Sequence, residues 1–375
     1  MTHPAIATNL SATLIKSRSE LIQLAPEWNN LLHQSAADSI FLTWEWISSW
    51  LDTVSPSASL TVIAVRDIER RLVAIAPFYC SSLRLFGVIS YRCLRVLGDC
   101  HSGGEYPDII VLPNMEDEAL RFIARVLASP ECKWDCAWIP NVAGWTGATE
   151  RLIVALSQNR GFLRKRACSF SALELPKSWP EFVGSLSRNR RSALKRQEKR
   201  LAQAGIVSIE RCEREDALPQ FLEVLFDLHR KRWQQVGQEG CFVRRPKMVG
   251  FYRNFAPKAL ANGWLALFSL TIDETFHAAQ YGYLYNGAYL QLQEGYAPAG
   301  PSGSGNALRA QIFRWCIGKR MRGYDFLGEH TQHKANWCAV ERGGWQIFLG
   351  RYCFKNIPLR LLGVWPTGRF LRQSE

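Results

Sequence analysis

The sequence predicts an α/β (α+β) protein of two halves, each a sheet flanked by helices. Three observations carry that expectation. The chain has 375 residues, too many for one ordinary domain. Two hairpins share one plan of apolar strand, acidic turn and apolar strand, at Leu60–Cys80 and Trp264–Tyr285, and each follows helices. Hairpins are common, so this repeat counts only alongside the rest. A strand, a Gly-rich loop and a helix then follow the second hairpin across Ala288–Met321.

The elements follow in order. Pro26–Leu32 reads as a short helix and Phe41–Leu51 as another, with Thr43 as its cap. Leu60–Val65 and Arg71–Cys80 are strands around the polar turn Asp67–Arg70. Tyr106–Leu112 and Trp134–Ile139 are strands, and Met115–Ala128 and Thr149–Gln158 are helices. Gly161–Leu175 returns as a strand and ends at a break, Pro176–Pro180. Beyond it, Ser178–Leu186 and the basic run Arg190–Ala204 are helices, the latter stopped by Gly205. Ile206–Arg211 is a strand. Leu218–Val236 carries Phe221, Leu222, Leu225 and Leu228 at helical spacing. Pro246–Ala261 is helical. Trp264–Ile272, Phe276–Tyr285 and Ala288–Tyr296 are strands, the last two joined by the hairpin pair Asn286-Gly287. Asn306–Met321 is a helix, and Tyr324–Leu327 and Trp345–Phe354 are the final strands.

Composition narrows the function classes. A hydrophobic fraction of 47% with 21% charged residues fits a globular chain with real cores. The net charge of +13 favours an anionic partner: a phosphorylated cofactor, a nucleic acid or a membrane surface. Eleven cysteines, odd in number and without a C-x-x-C, speak against a disulfide framework or a zinc ribbon and for free thiols in a reducing compartment. No signal-like N-terminus and no apolar run long enough to span a bilayer are present, so a cytoplasmic protein is expected, not an integral membrane one.

Three segments hold chemistry-bearing residues. Ala299–Asn306 is a Gly-rich loop running into a helix, where free N–H groups would suit a pyrophosphate; the plain alternative is a mobile connector. Asn306 and Ala307 stand where a P-loop needs Lys and Ser/Thr, which speaks against that motif. Gly323–Trp337 puts Asp325 and Leu327 on one strand face, then crowds Glu329, His330, His333, Lys334 and Trp337 into a loop. His330, His333 and Cys338 are one ligand short of a zinc site, so no metal is expected. In the third, Arg188, Arg191, Lys195 and Lys199 form one helical stripe, able to grip phosphates or RNA or simply to face solvent. Cys100-His101 lacks an orienting third group, and Asp227 and His229 do not share a face, so neither pair predicts a relay.

The second half resembles a known family. Gly282 with Tyr283–Tyr285, Gln293-x-Gly295-Tyr296, the Gly-rich turn into Leu308, Tyr324–Gly328 and Lys334-x-x-Trp337 come in the order seen in CelD-like acetyltransferases. These are GNAT-superfamily proteins of cellulose and exopolysaccharide biosynthesis, related to FemAB-type transferases. Phe41–Trp50 and Tyr106-Pro107-Asp108 are similar to that family too. The resemblance implies two tandem GNAT-like acyltransferase halves with mixed central sheets, a degenerate one over 1–175 and an active one over 176–375. It implies an acyl-CoA donor held by Gln293, Gly303, Ser304, Gly305 and Asn306, although Gly300 stands in place of the family's Arg or Gln and His333 in place of its aromatic.

The expected mechanism is direct transfer to an amine or hydroxyl. Asp325 or Glu329 is the base, Tyr296 the acid for the leaving thiolate, backbone N–H groups near Gln293 polarise the carbonyl, and Lys334, Trp337, Arg188 and Arg191 bind the acceptor. A small-molecule or cell-envelope acceptor and polysaccharide-synthesis machinery are the expected partners. Two alternatives stand beside this: a FemAB-like transferase fed by aminoacyl-tRNA, and a non-catalytic GNAT scaffold.

Overall fold

The computed structural model describes residues 10–99, 102–366 and 371–373. Its strands are β1 (Ser11–Ile15), β2 (Ser59–Arg66), β3 (Leu72–Leu85), β4 (Ile89–Val96), β5 (Ile110–Val111), β6 (Cys136–Ala143), β7 (Gly161–Glu174), β8 (Val207–Arg211), β9 (Leu265–Ile272), β10 (Thr275–Tyr285), β11 (Ala288–Tyr296), β12 (Gly323–Asp325), β13 (Val340–Arg351) and β14 (Leu371–Gln373). The helices are α1 (Arg18–Ile22), α2 (Ala25–Gln34), α3 (Trp44–Thr53), α4 (Glu116–Ala128), α5 (Ala148–Arg160), α6 (Trp179–Ser185), α7 (Arg188–Ala204), α8 (Leu218–Gln235), α9 (Cys241–Arg244), α10 (Pro246–Ala261), α11 (Ser304–Gly318), α12 (Gln332–Ala335) and α13 (Ile357–Leu362).

All strands join one mixed sheet in the order β1-β2-β3-β4-β6-β13-β7-β12-β11-β10-β9-β8, with β5 and β14 both on β3. The order is a repeat. Four antiparallel strands end in a parallel neighbour, β4 beside β6 in the first half and β11 beside β12 in the second. Between these halves lie two exchanged strands. β7, from the first half of the chain, pairs with β12, and β13, from the end, pairs with β6. β7 and β13 pair with each other without a break from Val340↔Ala172 to Arg351↔Gly161.

Period-two alternation assigns the layers. On β9, Leu265 and Leu267 join the large core under α8 and α10, while Ala266, Phe268 and Leu270 join the second core under α6, α7 and α11. A third, smaller cluster gathers Leu83, Tyr91, Trp138, Phe348 and Leu359. Thr43 caps α3 as expected, its Oγ1 accepting the Trp46 N–H at 3.3 Å. The buried indoles of Trp46 and Trp50 then donate to the carbonyls of Gly98 and Asp99 at 3.0 and 2.8 Å, fixing the chain that leaves β4. Asn286 and Gly287 take the two positive φ values, 47° and 70°, of the expected two-residue turn.

Several expectations need correction. The strand expected over Tyr106–Leu112 shrinks to Ile110–Val111. Tyr106 has φ 57°, and the Asp108 carboxylate takes the N–H groups of Ile109 and Thr149 at 2.8 and 2.6 Å. The strand expected from Trp134 starts at Cys136, and the helix expected from Asn306 starts at Ser304. β13 begins at Val340, not Trp345. Gly343-Gly344 hid its start, yet a Cβ on Gly344 would fall 2.5 Å from the Val142 carbonyl, so the close strand approach excludes a side chain there. β4 was missed although Tyr91, Cys93 and the exposed Ser90 and Arg92 alternate across it. The described cysteines are all free thiols. Cys100 and His101 lie outside the described residues.

Candidate active site

The second half opens where its parallel pair parts. β11 and β12 pair only from Ala288↔Gly323 to Leu290↔Asp325. Beyond that point β11 carries a bulge: Tyr281 faces Gln293 while Gly282 faces Gln291, leaving Leu292 as the extra residue. Gly282 is needed here, because a Cβ would lie 2.7 Å from the Tyr289 ring. On the other side, Leu327 and Gly328 take φ 52° and 47° and turn the chain away after Asp325. The result is a V-shaped gap with Gln293 on one wall and Asp325 at its vertex.

A polar network fills much of this gap. Arg309, on α11, is buried and ion-paired with Glu294, which also pairs with Arg232 at 2.9 Å. Burial disfavours the Glu294 carboxylate, but the Arg309 and Arg232 guanidiniums outweigh it and hold its pKa below the usual range. Arg309 also donates to Asn306 Oδ1 at 3.2 Å and to His333 Nε2 at 2.9 Å. That nitrogen must therefore be unprotonated, and partial burial with the Arg309 charge pushes the His333 pKa down to about 4. Arg190, on α7, lies 3.7 Å over the Trp337 ring and donates to Asn306 Oδ1 at 3.2 Å. Burial and the like charge of Arg309 push its pKa down to about 10.

At the vertex the two halves meet through titratable groups. Tyr106 donates its hydroxyl to both Asp325 oxygens, at 3.1 and 2.9 Å, and the Leu327 N–H adds a third bond at 2.8 Å. Burial still raises the Asp325 pKa. Glu105 comes from the first half. Its Oε2 is buried and has no hydrogen-bond partner among the described residues. Burial, and then the Asp325 charge, push its pKa up to about 8. Lys334 donates to the carbonyls of Leu327 and, at 2.9 Å, Glu329. Burial lowers its pKa, against the pull of Glu105 and Asp325. A Cβ on Gly328 would sit 3.8 Å from the Lys334 ammonium and 4.0 Å from Glu105 Oε1, so both groups reach that glycine.

Glu105 also faces the first half's own gap, between β4 and β6. A cavity of about 500 Å³ lies there, lined among others by Arg95, Gly103, Glu105, Trp138, Asn141 and Gln346. That is the size of a small-molecule pocket. Arg95 is locked by Asp99 at 2.6 Å, and Asp99 by the Tyr79 hydroxyl at 2.8 Å.

The structure thus gathers some of the expected residues and separates others. Asp325 and Lys334 come together. Glu329 stands at the rim: its side chain is exposed, its charge is among those that favour the Lys334 ammonium, and its backbone carbonyl accepts from Lys334. Tyr296 ends β11 with the Arg232 guanidinium 5.3 Å over its ring. Gln293 accepts from the Cys241 thiol at 3.4 Å. Gly303, Ser304, Gly305 and Asn306 start α11, but Asn306 points inward to Arg190 and Arg309. Trp337 is wholly buried against Phe313 and works as a pillar under Arg190, not as a pocket wall. Arg188 is exposed, and Arg191 spends its donors on the carbonyls of Gly184 and Leu186 at the end of α6. Asp227 pairs with Arg230 and Lys231, and His229 accepts from the Trp233 indole at 3.0 Å, so no relay joins them. No group of three or more His, Cys, Asp or Glu able to hold a metal occurs among the described residues.

Glu105, Arg190, Glu294 and Arg309 were missed. A signal for Glu105 existed in Gly103-Gly104-Glu105-Tyr106-Pro107-Asp108, a carboxylate held in a turn-rich loop. Glu294 and Arg309 read as ordinary strand and helix charges, and only burial marks them.

Residues 188–335 match the family described as "Acetyltransferase (GNAT) domain". No curated protein sequence matches the chain. Among solved structures, the crystal structure of FemX superposes with TM-score 0.61 at 11% identity, covering 94% of this chain and 99% of that one. The C-terminal domain of a putative lysylphosphatidylglycerol synthetase from Agrobacterium fabrum gives TM-score 0.53 at 9% identity, covering 91% and 95%. A conserved protein of unknown function from Bacteroides thetaiotaomicron gives 0.52 at 11%, covering 87% and 97%. At such identities the likeness is one of fold.

Proposed function

We propose that the protein is a GNAT-type acyltransferase that moves an acyl group from acyl-CoA directly to an amine or hydroxyl. The observation that carries this is the bulged, parted β11/β12 pair, whose vertex brings Asp325, Lys334 and the Glu105 carboxylate, with its partnerless Oε2, together. Glu105 takes the base role expected of Asp325 or Glu329. With a pKa near 8 it can accept a proton from the attacking group close to neutral pH. The nucleophile bonds to the thioester carbon, its proton passes to Glu105, the C–S bond breaks, and the thiolate takes a proton from the Tyr296 hydroxyl. Backbone N–H groups at the Leu292 bulge polarise the carbonyl oxygen. The Leu327 and Glu329 carbonyls place Lys334, and the charges of Glu105 and of Asp325, held by Tyr106, favour its ammonium form.

The donor's phosphates fall to the start of α11. Gly303 has φ 99° and no side chain caps the helix; Ser304 N–H bonds the Pro301 carbonyl at 3.3 Å, which leaves the N–H groups of Gly305 and Asn306 for an anion. Arg190 adds a cation there. The cavity beside Glu105 suits the acceptor, and the resemblance to exopolysaccharide acetyltransferases makes a sugar hydroxyl or amino sugar the first class to try, in the cytoplasm. Calorimetric titration with acetyl-CoA and a longer acyl-CoA tests the reading. Saturable binding by wild type, lost in Gly303→Val, supports it; a folded wild type that binds neither overturns it.

A second reading rests on the Arg309–Glu294 pair inside the gap and on the exposed cations of α7, Lys195, Arg196, Lys199 and Arg200. Both favour a donor carried on tRNA, outside the CoA groove. Binding of aminoacyl-tRNA with a steep salt dependence would select it.

A further inference from the structure

The C-terminal segment after β13 presents large apolar side chains to solvent while its backbone is firmly held. Phe354 is 93% exposed and Leu361 78%, with Tyr352, Ile357 and Leu362 exposed beside them. These five lie within eleven residues, while the other exposed large hydrophobics among the described residues are spread over the rest of the chain. The β3–β4 turn, whose flanking Leu85 and Ile89 pack in the same cluster as Leu359, adds Val88, 80% exposed. Fraying does not explain this exposure. Asn356 donates to the carbonyls of Asp135 and Arg351 at 2.7 and 2.8 Å, and Tyr91 donates to Lys355 O at 3.0 Å. Arg164 donates to the carbonyls of Leu359 and Arg360 at 2.9 and 2.8 Å, and Leu359 is fully buried. The fold therefore holds an apolar face outward at a steady free-energy cost, as proteins do at docking surfaces.

The surrounding charge says what docks. From Arg342 to Ser374 the sequence has no Asp or Glu and six Arg or Lys. Arg360 is exposed beside Tyr352, and Arg84 and Arg92 are exposed on the neighbouring β3 and β4. Asp135 is the carboxylate that faces this patch, and it is neutralised by Lys355 at 2.7 Å and Arg92 at 3.6 Å. An apolar wedge ringed by cations matches the interface of an anionic bilayer: rings and branched side chains enter below the headgroups while guanidiniums meet the phosphates. We propose that Tyr352–Leu362, with the β3–β4 turn, docks the protein on an anionic phospholipid surface. This does not depend on the acyl-transfer reading.

The test is co-sedimentation of the full chain with vesicles of phosphatidylglycerol and phosphatidylcholine, against phosphatidylcholine alone, at low and high salt. Wild type is expected to bind the anionic vesicles, less so in high salt. Phe354→Ser with Leu361→Ser should weaken binding about tenfold or more, as loss of two buried apolar side chains implies. Both side chains stand in solvent, so the melting temperature should not fall, which keeps the variant informative. Absence of binding by wild type overturns the proposal, and so does equal binding by the double variant. Concentration-dependent self-association that the double variant abolishes, without vesicle binding, would assign the face to a second copy of the chain and overturn it equally.

Discussion

The Tyr106 hydroxyl reaches both oxygens of Asp325, at 3.1 and 2.9 Å, and so ties a loop of the first half to the vertex of the second. The Tyr106 ring itself is held by Phe170 and Trp145, 4.8 and 5.2 Å away. Tyr106→Phe keeps that packing and deletes the donor. It should cost about 1–3 kcal/mol of stability, the range for a hydrogen bond to a buried ionisable group. It should also lower turnover more than it raises KM, because the Asp325 carboxylate, whose charge favours the Lys334 ammonium, is then less firmly placed. Denaturant unfolding and steady-state kinetics check the two effects.

Glu105→Gln should lower turnover by about 10²–10⁴-fold, as for other general bases. Wild-type activity should rise with pH through about 8, where Glu105 loses its proton, and that limb should vanish in the variant. Stability gives an independent readout. The Glu105 pKa is raised on folding, so between its unfolded value near 4.5 and about 8 the folded state holds a proton the unfolded state has released. Its contribution is full at the acid end and falls as pH rises through that window. Glu105→Gln should remove this slope and be the more stable form above pH 8.

Arg309→Met leaves Glu294 half-buried with only Arg232 and the Gln291 amide, at 2.9 and 3.1 Å. Breaking such a pair from one side should cost about 3–5 kcal/mol. Adding Glu294→Leu should recover most of that loss. The double-mutant cycle, measured in urea, gives the coupling.

Gly303→Val places a β-branched residue at φ 99°, with its Cβ 2.7 Å from Gln197 Cγ. Acyl-CoA affinity should disappear while vesicle binding persists. Calorimetry and co-sedimentation on one preparation separate the two outcomes.

His333 should stay neutral from pH 5 upward, since its Nε2 accepts from Arg309. Its ring resonances in NMR should not titrate across neutral pH, and Arg309→Met should raise the pKa while burial still holds it below the ordinary imidazole range.

What the sequence revealed follows local physics. The caps, the Asn286-Gly287 turn, the apolar period of α8 and the apolar run of β9 are written in neighbouring residues, and they stand where expected. Asp325 and Lys334 were legible because they crowd one short segment. Glu105 was not, because it reaches Asp325 and Lys334 only through a chain crossing of more than two hundred positions. Arg191 and Trp337 stand elsewhere than expected for a related reason. A donor's target and an aromatic's burial depend on what packs above, here the end of α6 and Arg190. β13 was half-hidden because its glycines answer to Val142, on a strand far away in sequence.

The exchange of β7 and β13 bears on how the chain is made. Cys136 on β6 has no sheet partner on its β13 side until Gly350 arrives to pair with it. During synthesis, the first half therefore emerges with one strand edge open and waits for nearly the whole chain before that edge is sealed. An exposed edge of that kind invites pairing with other nascent chains. Folding should depend on chaperone capacity and slow synthesis more than on sequence-local stability, and separate expression of residues 1–175 should give aggregates that co-expression of residues 176–375 dissolves.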